Sequence, residues 1–341
     1  MKRNVYLVLC CTALLFIGCR QTKYNKENFT IETINRITPV KNQERSSDCW
    51  AYAMLATIES EHIQRGDSVN LSVAYVLRNR LKDEFRRYYL SGGQIRFSDR
   101  GVGQTLINTI EAYGAMPYDA YKDADDTNSR VVGNKLRYIA DNAIGRGAGL
   151  QTTEDIVESA LDDALGPSPI HVFMLGAEYT PLEFAHSICR SDEYVALTSY
   201  THHPFNQSFV LEVPDNWEQN QFYNIPIDTL ETRVVKALRN HHSICWEGDI
   251  SEPGFSFSQG VARLMDERAV ITQQKRQLSF ERFFTTDDHC MEIIGIARDK
   301  TGKHYFICKN SWGTDNPYKG LMYMSENYFR LKTIAVYLAK E

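Results

Sequence analysis

Long hydrophobic runs are scarce in this chain of 341 residues. The run from Val5 to Gly18 is too short for a comfortable bilayer span and lies where a targeting segment is expected. A basic stripe is also missing. Formal net charge is -5 and becomes -7 once Lys2 and Arg3 are discounted with the N-terminal segment, so nucleic acid is not the expected partner. No repeat or low-complexity tract is visible, which argues against a solenoid or a disordered chain. The cysteine spacing fits no metal motif. The pairs His202-His203 and His241-His242 lack a carboxylate cluster around them. Adjacent side chains diverge on a helix or strand, so these histidines are expected to be solvated or structural, with no metal and no cofactor.

What is present is ordinary for a globular protein: 43% hydrophobic and 24% charged residues, enough for one large domain or two intimate halves. Lys2 and Arg3 form a basic start, and the apolar run ends Phe16-Ile17-Gly18-Cys19. A small residue directly before a cysteine at this point resembles a bacterial lipoprotein cleavage site. The reading is a signal peptide over 1–18, a lipid on Cys19, a polar tether over 19–30, and a bacterial cell envelope location, with the membrane reached through that lipid. Of the eight cysteines, Cys10, Cys11 and Cys19 belong to this region. Cys189, Cys245, Cys290 and Cys308 are left as disulfides of unspecified pairing or as buried free thiols.

Hydrophobic periodicity changes along the chain. Ile31 to Val40 reads as a short strand or extended arm. Cys49 to Arg65, Leu71 to Tyr89 and Gln104 to Tyr113 have helical spacing, stopped by Gly66, Ser91-Gly92-Gly93 and Gly114. The reading stays largely helical to about residue 165, and 227–242 is one more helix. Residues 170–174, 208–213, 291–297, 305–309 and 334–338 read as strands, with 298–303 as a hairpin turn. Helices first and mostly antiparallel strands after predict an α+β fold of two packed lobes, a helical one over about 45–165 and a β-rich one over about 166–338.

Four polar residues are spaced for chemistry. Gln43 stands six positions before Cys49, and Cys49 opens a helix, where unpaired N–H groups favour a thiolate. His289 is the expected base and acid. Asn310, 21 residues on, would meet His289 across an antiparallel hairpin and fix its tautomer. The Gln43 amide and the Cys49 N–H could hold an oxyanion, a donor worth about 3 kcal/mol. Trp312 would cover the His–Asn contact.

Three stretches, Gln43…Cys49-Trp50-Ala51-Tyr52-Ala53, Asp288-His289-Cys290-Met291 and Lys309-Asn310-Ser311-Trp312-Gly313, resemble the three motifs of the papain-like cysteine peptidases, in order. Residues 70–77, 113–117, 245–249 and 320–325 are similar to the bleomycin hydrolase and aminopeptidase C group. The resemblance implies a two-lobed papain-like domain over 31–341 with the cleft between lobes. It also implies amide hydrolysis of a peptide or protein substrate through a thioester. Gly103, before Gln104, matches a family glycine that borders the cleft and pairs with substrate backbone.

The departures from the family pattern are specific. Asp48 precedes the nucleophile where the group has Arg, and a carboxylate there opposes the thiolate unless it turns away or caps the helix. Ser46 replaces a disulfide cysteine, and Ser47 replaces a glycine. Only Ala339-Lys340-Glu341 follow the final strand, where aminopeptidases of the group carry an arm whose carboxylate reads the substrate amine. The expectation is therefore a peptidase with an open cleft. An aminopeptidase of the same group and a catalytically silent peptide-binding lipoprotein stand as alternatives. Oligomeric state is not indicated.

Overall fold

A computed structural model describes residues 26–122, 128–174 and 176–340. The signal segment and the lipidation site expected at Cys19 lie outside the described residues. Strand β1 (Thr30–Ile34) is followed by helices α1 (Cys49–Gln64), α2 (Val73–Leu90), α3 (Gly103–Tyr113), α4 (Ser129–Arg146) and α5 (Leu150–Leu165). A small hairpin, β2 (Val172–Met174) and β3 (Ala177–Tyr179), leads into α6 (Pro181–Ile188). Next come β4 (Tyr194–Thr198), β5 (Gln207–Val210), β6 (Gln221–Asn224) and α7 (Ile227–Arg239). They precede β7 (Ile244–Gly248), β8 (Phe255–Ser256), β9 (Val261–Ala262) and α8 (Gln273–Glu281). The chain closes with β10 (His289–Arg298), β11 (His304–Lys309), β12 (Leu321–Ser325), α9 (Glu326–Lys332) and β13 (Thr333–Ala339).

Local chemistry sets the helix ends. Ser72 caps α2 by accepting from the Tyr75 N–H at 3.1 Å. Thr180 and Glu183 form a capping box at α6, with Pro181 in the first turn. Gly114 ends α3 at φ +87°, and a Cβ there would lie 2.2 Å from the Pro181 backbone, so only glycine fits. In α7, Ile227, Leu230, Val234 and Leu238 are buried at helical spacing against the sheet.

The main sheet runs β5-β6-β4-β13-β7-β10-β11-β12-β9-β8, with β1 paired antiparallel to β10. Both of its faces are covered. Cys245, Cys290 and Tyr337 point into the helical core with Trp50, Met54 and Leu106. Their neighbours Trp246, Met291 and Val336 point into a second core with α7 and α9. A strand buried on both sides reads as a continuous apolar run rather than an alternation. β10, β11 and β13 are such runs and read as strands in the sequence, whereas in β7 Glu247 and Gly248 break the run after three residues.

The expected tether differs from the structure at its end. Phe29 stacks on Tyr323 with centroids 3.9 Å apart, and Glu27 pairs with Arg263 at 2.7 Å. Residues 27–30 are therefore docked on the sheet and are not free spacer. The four remaining cysteines, Cys189, Cys245, Cys290 and Cys308, are free and buried.

Gly103 opens α3 against the ring of Tyr337, and a Cβ there would lie 2.6 Å from that ring. Overpacking of this kind costs about 1–3 kcal/mol. Gly103→Ala is therefore expected to lower the unfolding free energy by that amount, measured by urea unfolding followed by far-UV circular dichroism.

Candidate active site

Cys49 is the first residue of α1, so its sulfur sits at the helix N-terminus, where the orphan N–H groups and the helix dipole favour negative charge. The strand β10 packs along α1 and begins with His289 and Cys290. The Cys49 sulfur is hydrogen-bonded by the Cys290 thiol and by the His289 imidazole. Those bonds, Cys290 first, and the charge of His289 hold Cys49 well below the usual thiol range despite its burial. The same bond to Cys49, together with burial, pushes Cys290 well above it, so Cys290 stays a neutral donor.

The hairpin of β10 and β11 sets the second contact. Pairing of Glu292 with Lys309 leaves Asn310 one step beyond the strand, level with the start of its partner. His289 Nε2 lies 2.8 Å from Asn310 Oδ1. The Asn310 amide is oriented by the Ser311 N–H on Oδ1 at 2.8 Å and by Met322 Sδ near Nδ2 at 3.5 Å. An acceptor at Nε2 assigns the proton to that nitrogen and leaves Nδ1 for the sulfur. Trp312 lies over His289 with centroids 4.8 Å apart, backed edge-on by Phe255 and Phe257. The pair is dry: His289 and Asn310 are 3% and 2% exposed.

Gln43 is fixed at three points. Its backbone N–H reaches Ser311 O at 2.7 Å, its Oε1 accepts from Ser311 Oγ at 2.5 Å, and its Nε2 donates to Ser46 O at 2.9 Å. It borders the same cavity, about 260 Å³, as Cys49 and His289. The structure thus brings Gln43, Cys49, His289, Asn310 and Trp312 together.

Gly103 is not part of that group. It faces the core against Tyr337, and the glycine bordering the cleft is Gly101, two residues earlier. In the Gly101-Val102-Gly103 turn the second glycine opens α3, which leaves the first on the cleft side.

Asp48 lines a neighbouring cavity of about 450 Å³, not the catalytic one, and makes no side-chain cap to α1. Burial pushes its carboxyl up to about 7. The side chain has turned away from the cleft, and it is largely neutral below that pH.

Sequence reading missed the far wall of the cleft. Arg100, Asp215, Asp287 and Asp288 line it. Arg100 Nε meets Asp215 at 2.6 Å, and its Nη2 donates to Asp287 O at 2.9 Å. Burial, with Glu247 and Asp215 close by, holds the Asp287 carboxyl well above the usual range. Glu247 lies behind it, bonded to Tyr337 at 3.0 Å and pushed up to about 8 by burial. Arg100, Asp215 and Asp287 sit in loops without periodicity. The available signal was the doublet Asp287-Asp288 next to His289.

The expectation for His202 and His203 also needs correction. They lie in a bend, not a helix or strand, and both rings turn to Glu212, with Nε2 atoms 3.1 and 2.6 Å from its oxygens. His241 and His242 lie in the turn after α7 rather than in a helix or strand, and His242 pairs with Glu61 at 2.9 Å.

A thiol at a helix N-terminus, an imidazole on the facing strand and an amide behind it define a papain-like cysteine peptidase. The comparisons agree. Residues 172–341 match the Peptidase C1-like family. Aminopeptidase W of Lactobacillus delbrueckii subsp. lactis is 22% identical, over 89% of this chain and 81% of its own. The mitochondrial cysteine proteinase 1 of Saccharomyces cerevisiae is 24% identical, over 91% and 76%. The crystal structure of PepW from Lactobacillus rhamnosis shares the fold, with a TM-score of 0.70 and 18% identity over 91% of this chain and 82% of that one. The chain has the papain-like fold and resembles the cysteine peptidases of the bleomycin hydrolase and aminopeptidase C group.

A buried acid with a raised pKa costs stability once it ionises. For Asp48 the cost is absent below the unfolded value near 4, grows up to about pH 7 and is complete above it. Asp48→Asn should therefore gain melting temperature over the parent progressively between pH 4 and pH 8. A difference independent of pH would show that Asp48 does not titrate there.

Proposed function

We propose that this chain hydrolyses peptide bonds with Cys49 as nucleophile, His289 as acid and base, Asn310 as orienter and Gln43 as oxyanion donor. The observation that carries the reading is the unbroken line from the Cys49 sulfur through His289 to Asn310 Oδ1. The thiolate attacks the scissile carbonyl, and the oxyanion is met by the second Nε2 hydrogen of Gln43 and by the N–H at the start of α1. Protonated His289 gives its proton to the departing amine, leaving a thioester on Cys49. Water then attacks the thioester, His289 takes its proton, and the acid and thiolate are released. Ser311 holds Gln43 in register with Asn310, since one residue touches both.

The reading favoured for the substrate is a peptide with a free N-terminus. Two observations support it. The relatives include proteins named aminopeptidase W and aminopeptidase C, and three aspartates stand in the wall of the cleft against the single paired Arg100. Burial holds the Asp287 carboxyl well above the usual range, so an ammonium group placed near Asp215 and Asp287 would favour its ionised form and gain an acceptor. An open cleft, the expectation from sequence, would instead serve an endopeptidase or a differently restricted exopeptidase.

A free-amine peptide amide and its N-acetylated form distinguish these. The free-amine form is expected to be cleaved at least about tenfold faster in kcat/KM, a difference of about 1.4 kcal/mol, with no turnover of either by Cys49→Ala. Equal rates would assign an endopeptidase, and turnover by Cys49→Ala would remove the nucleophile assignment.

The site of action proposed is the bacterial cell envelope, with the enzyme held by lipid on Cys19. Supporting this are the basic start, the short apolar run and the small residue before Cys19. No helix of the described residues is long and apolar enough to cross a membrane. In cells fed a radiolabelled fatty acid, label is expected on the parent and not on Cys19→Ser. Label retained by Cys19→Ser would exclude this anchor.

A further inference from the structure

The bend after β4 gathers a set of groups unrelated to peptide hydrolysis. His202 Nε2 and His203 Nε2 lie 3.1 and 2.6 Å from opposite oxygens of Glu212, and one ligand atom from each residue falls within 4.8 Å of the others. Two imidazoles and one carboxylate are a three-ligand set suited to Zn²⁺, which binds such groups at about 2.0–2.2 Å and completes its shell with water. Other divalent transition ions use the same donors.

The rings are held in place. His203 stacks on Phe209 with centroids 4.1 Å apart at 23°, and His202 lies parallel to Phe280 at 5.7 Å and 14°. The bend itself is clamped by Asn224. That buried amide donates to Tyr200 O at 2.7 Å, His203 O at 3.0 Å and Pro204 O at 3.1 Å, and its oxygen accepts from Tyr200 N at 2.9 Å. Neighbouring histidines converge here because a backbone clamp, not strand geometry, sets their direction.

We propose that His202, His203 and Glu212, none of which lines the Cys49 cleft, form a surface site for a single Zn²⁺ ion that clips the bend after β4 to the segment following β5. Without metal the neutral pairs are self-consistent. Gln277 Nε2 lies 2.9 Å from His202 Nδ1, which makes that nitrogen an acceptor and leaves an N–H on Nε2 for Glu212. Metal on Nε2 takes the place of that hydrogen. The His202 proton then moves to Nδ1, and Gln277 must turn its amide away. The set leaves at least one position for water at the surface, where His202 and Glu212 are exposed.

The test uses the full chain carrying Cys49→Ala, which removes the competing thiolate of the cleft, titrated calorimetrically with Zn²⁺. One site of micromolar or tighter Kd is expected, weakened at least tenfold by either His203→Ala or Glu212→Gln. The second variant keeps side-chain volume and guards against a folding defect in the first. Co²⁺ in the same site is expected to give visible d–d bands without a thiolate charge-transfer band. Absence of Zn²⁺ binding by the Cys49→Ala chain, binding undiminished in both variants, or a thiolate signature with Co²⁺ would each overturn the proposal and leave His202, His203 and Glu212 as ion pairs.

Discussion

One contact organises this molecule: the N-terminal end of α1 pressed against the beginning of β10. The two segments are separated by more than two hundred residues, and the cleft exists only where they meet. A buried polar seam keeps them in register. Ser60 on α1 donates to Glu292 on β10 at 2.5 Å, and Lys309 on β11 lies 3.6 Å from Glu292 and donates to Thr38 at 2.9 Å. Glu59, one position from Ser60, accepts from Lys41 at 2.8 Å and from the Leu71 N–H at 2.7 Å. Breaking one partner of a buried charged pair typically costs about 3–5 kcal/mol, more than most apolar substitutions. The seam therefore fixes the distance between sulfur and imidazole as firmly as the hydrophobic core does.

Around that contact the division of labour follows element type. The helix supplies a field for the thiolate, the strand start supplies the imidazole, and the residue just past β11 supplies the amide. Every one of these groups sits at an element end, where backbone geometry is fixed on one side and free on the other. Ser311 and Trp312 continue from Asn310 and finish the site, one by holding Gln43 and the other by shielding His289. A stretch of three residues thus serves orientation, oxyanion geometry and water exclusion together.

Much of this was readable from residues alone, for identifiable reasons. Cys49, His289 and Asn310 carry chemistry and stand beside strong helix or hairpin signals, so their meeting could be anticipated. The hairpin of β10 and β11 was legible because a polar turn separates two apolar runs. The central strand β7 was not, because Glu247 and Gly248 cut its apolar run to three residues. Gly101 and Gly103 look alike in sequence and differ only in which one opens α3. Cys290 was legible as a cysteine but not as the partner of Cys49, since strand alternation would place it facing away from its neighbour. Arg100, Asp215 and Asp287 come from loops, where no pattern forecasts proximity. Two histidines in a clamped bend converge against the rule for regular elements. In each case, long-range packing or a loop clamp decided what local pattern could not.

The position of β13 has a consequence for how the molecule assembles. This segment occurs late in the chain yet lies in the middle of the sheet, pairing Ala335 with Thr198 on one side and with Glu247 on the other. Until it threads between β4 and β7, the sheet is two unconnected halves with exposed edges. Such distant pairings make folding slow and leave those edges open to wrong partners. β7, which backs the start of β10 and so the His289 end of the site, gains its second neighbour only through this pairing of segments far apart in the chain.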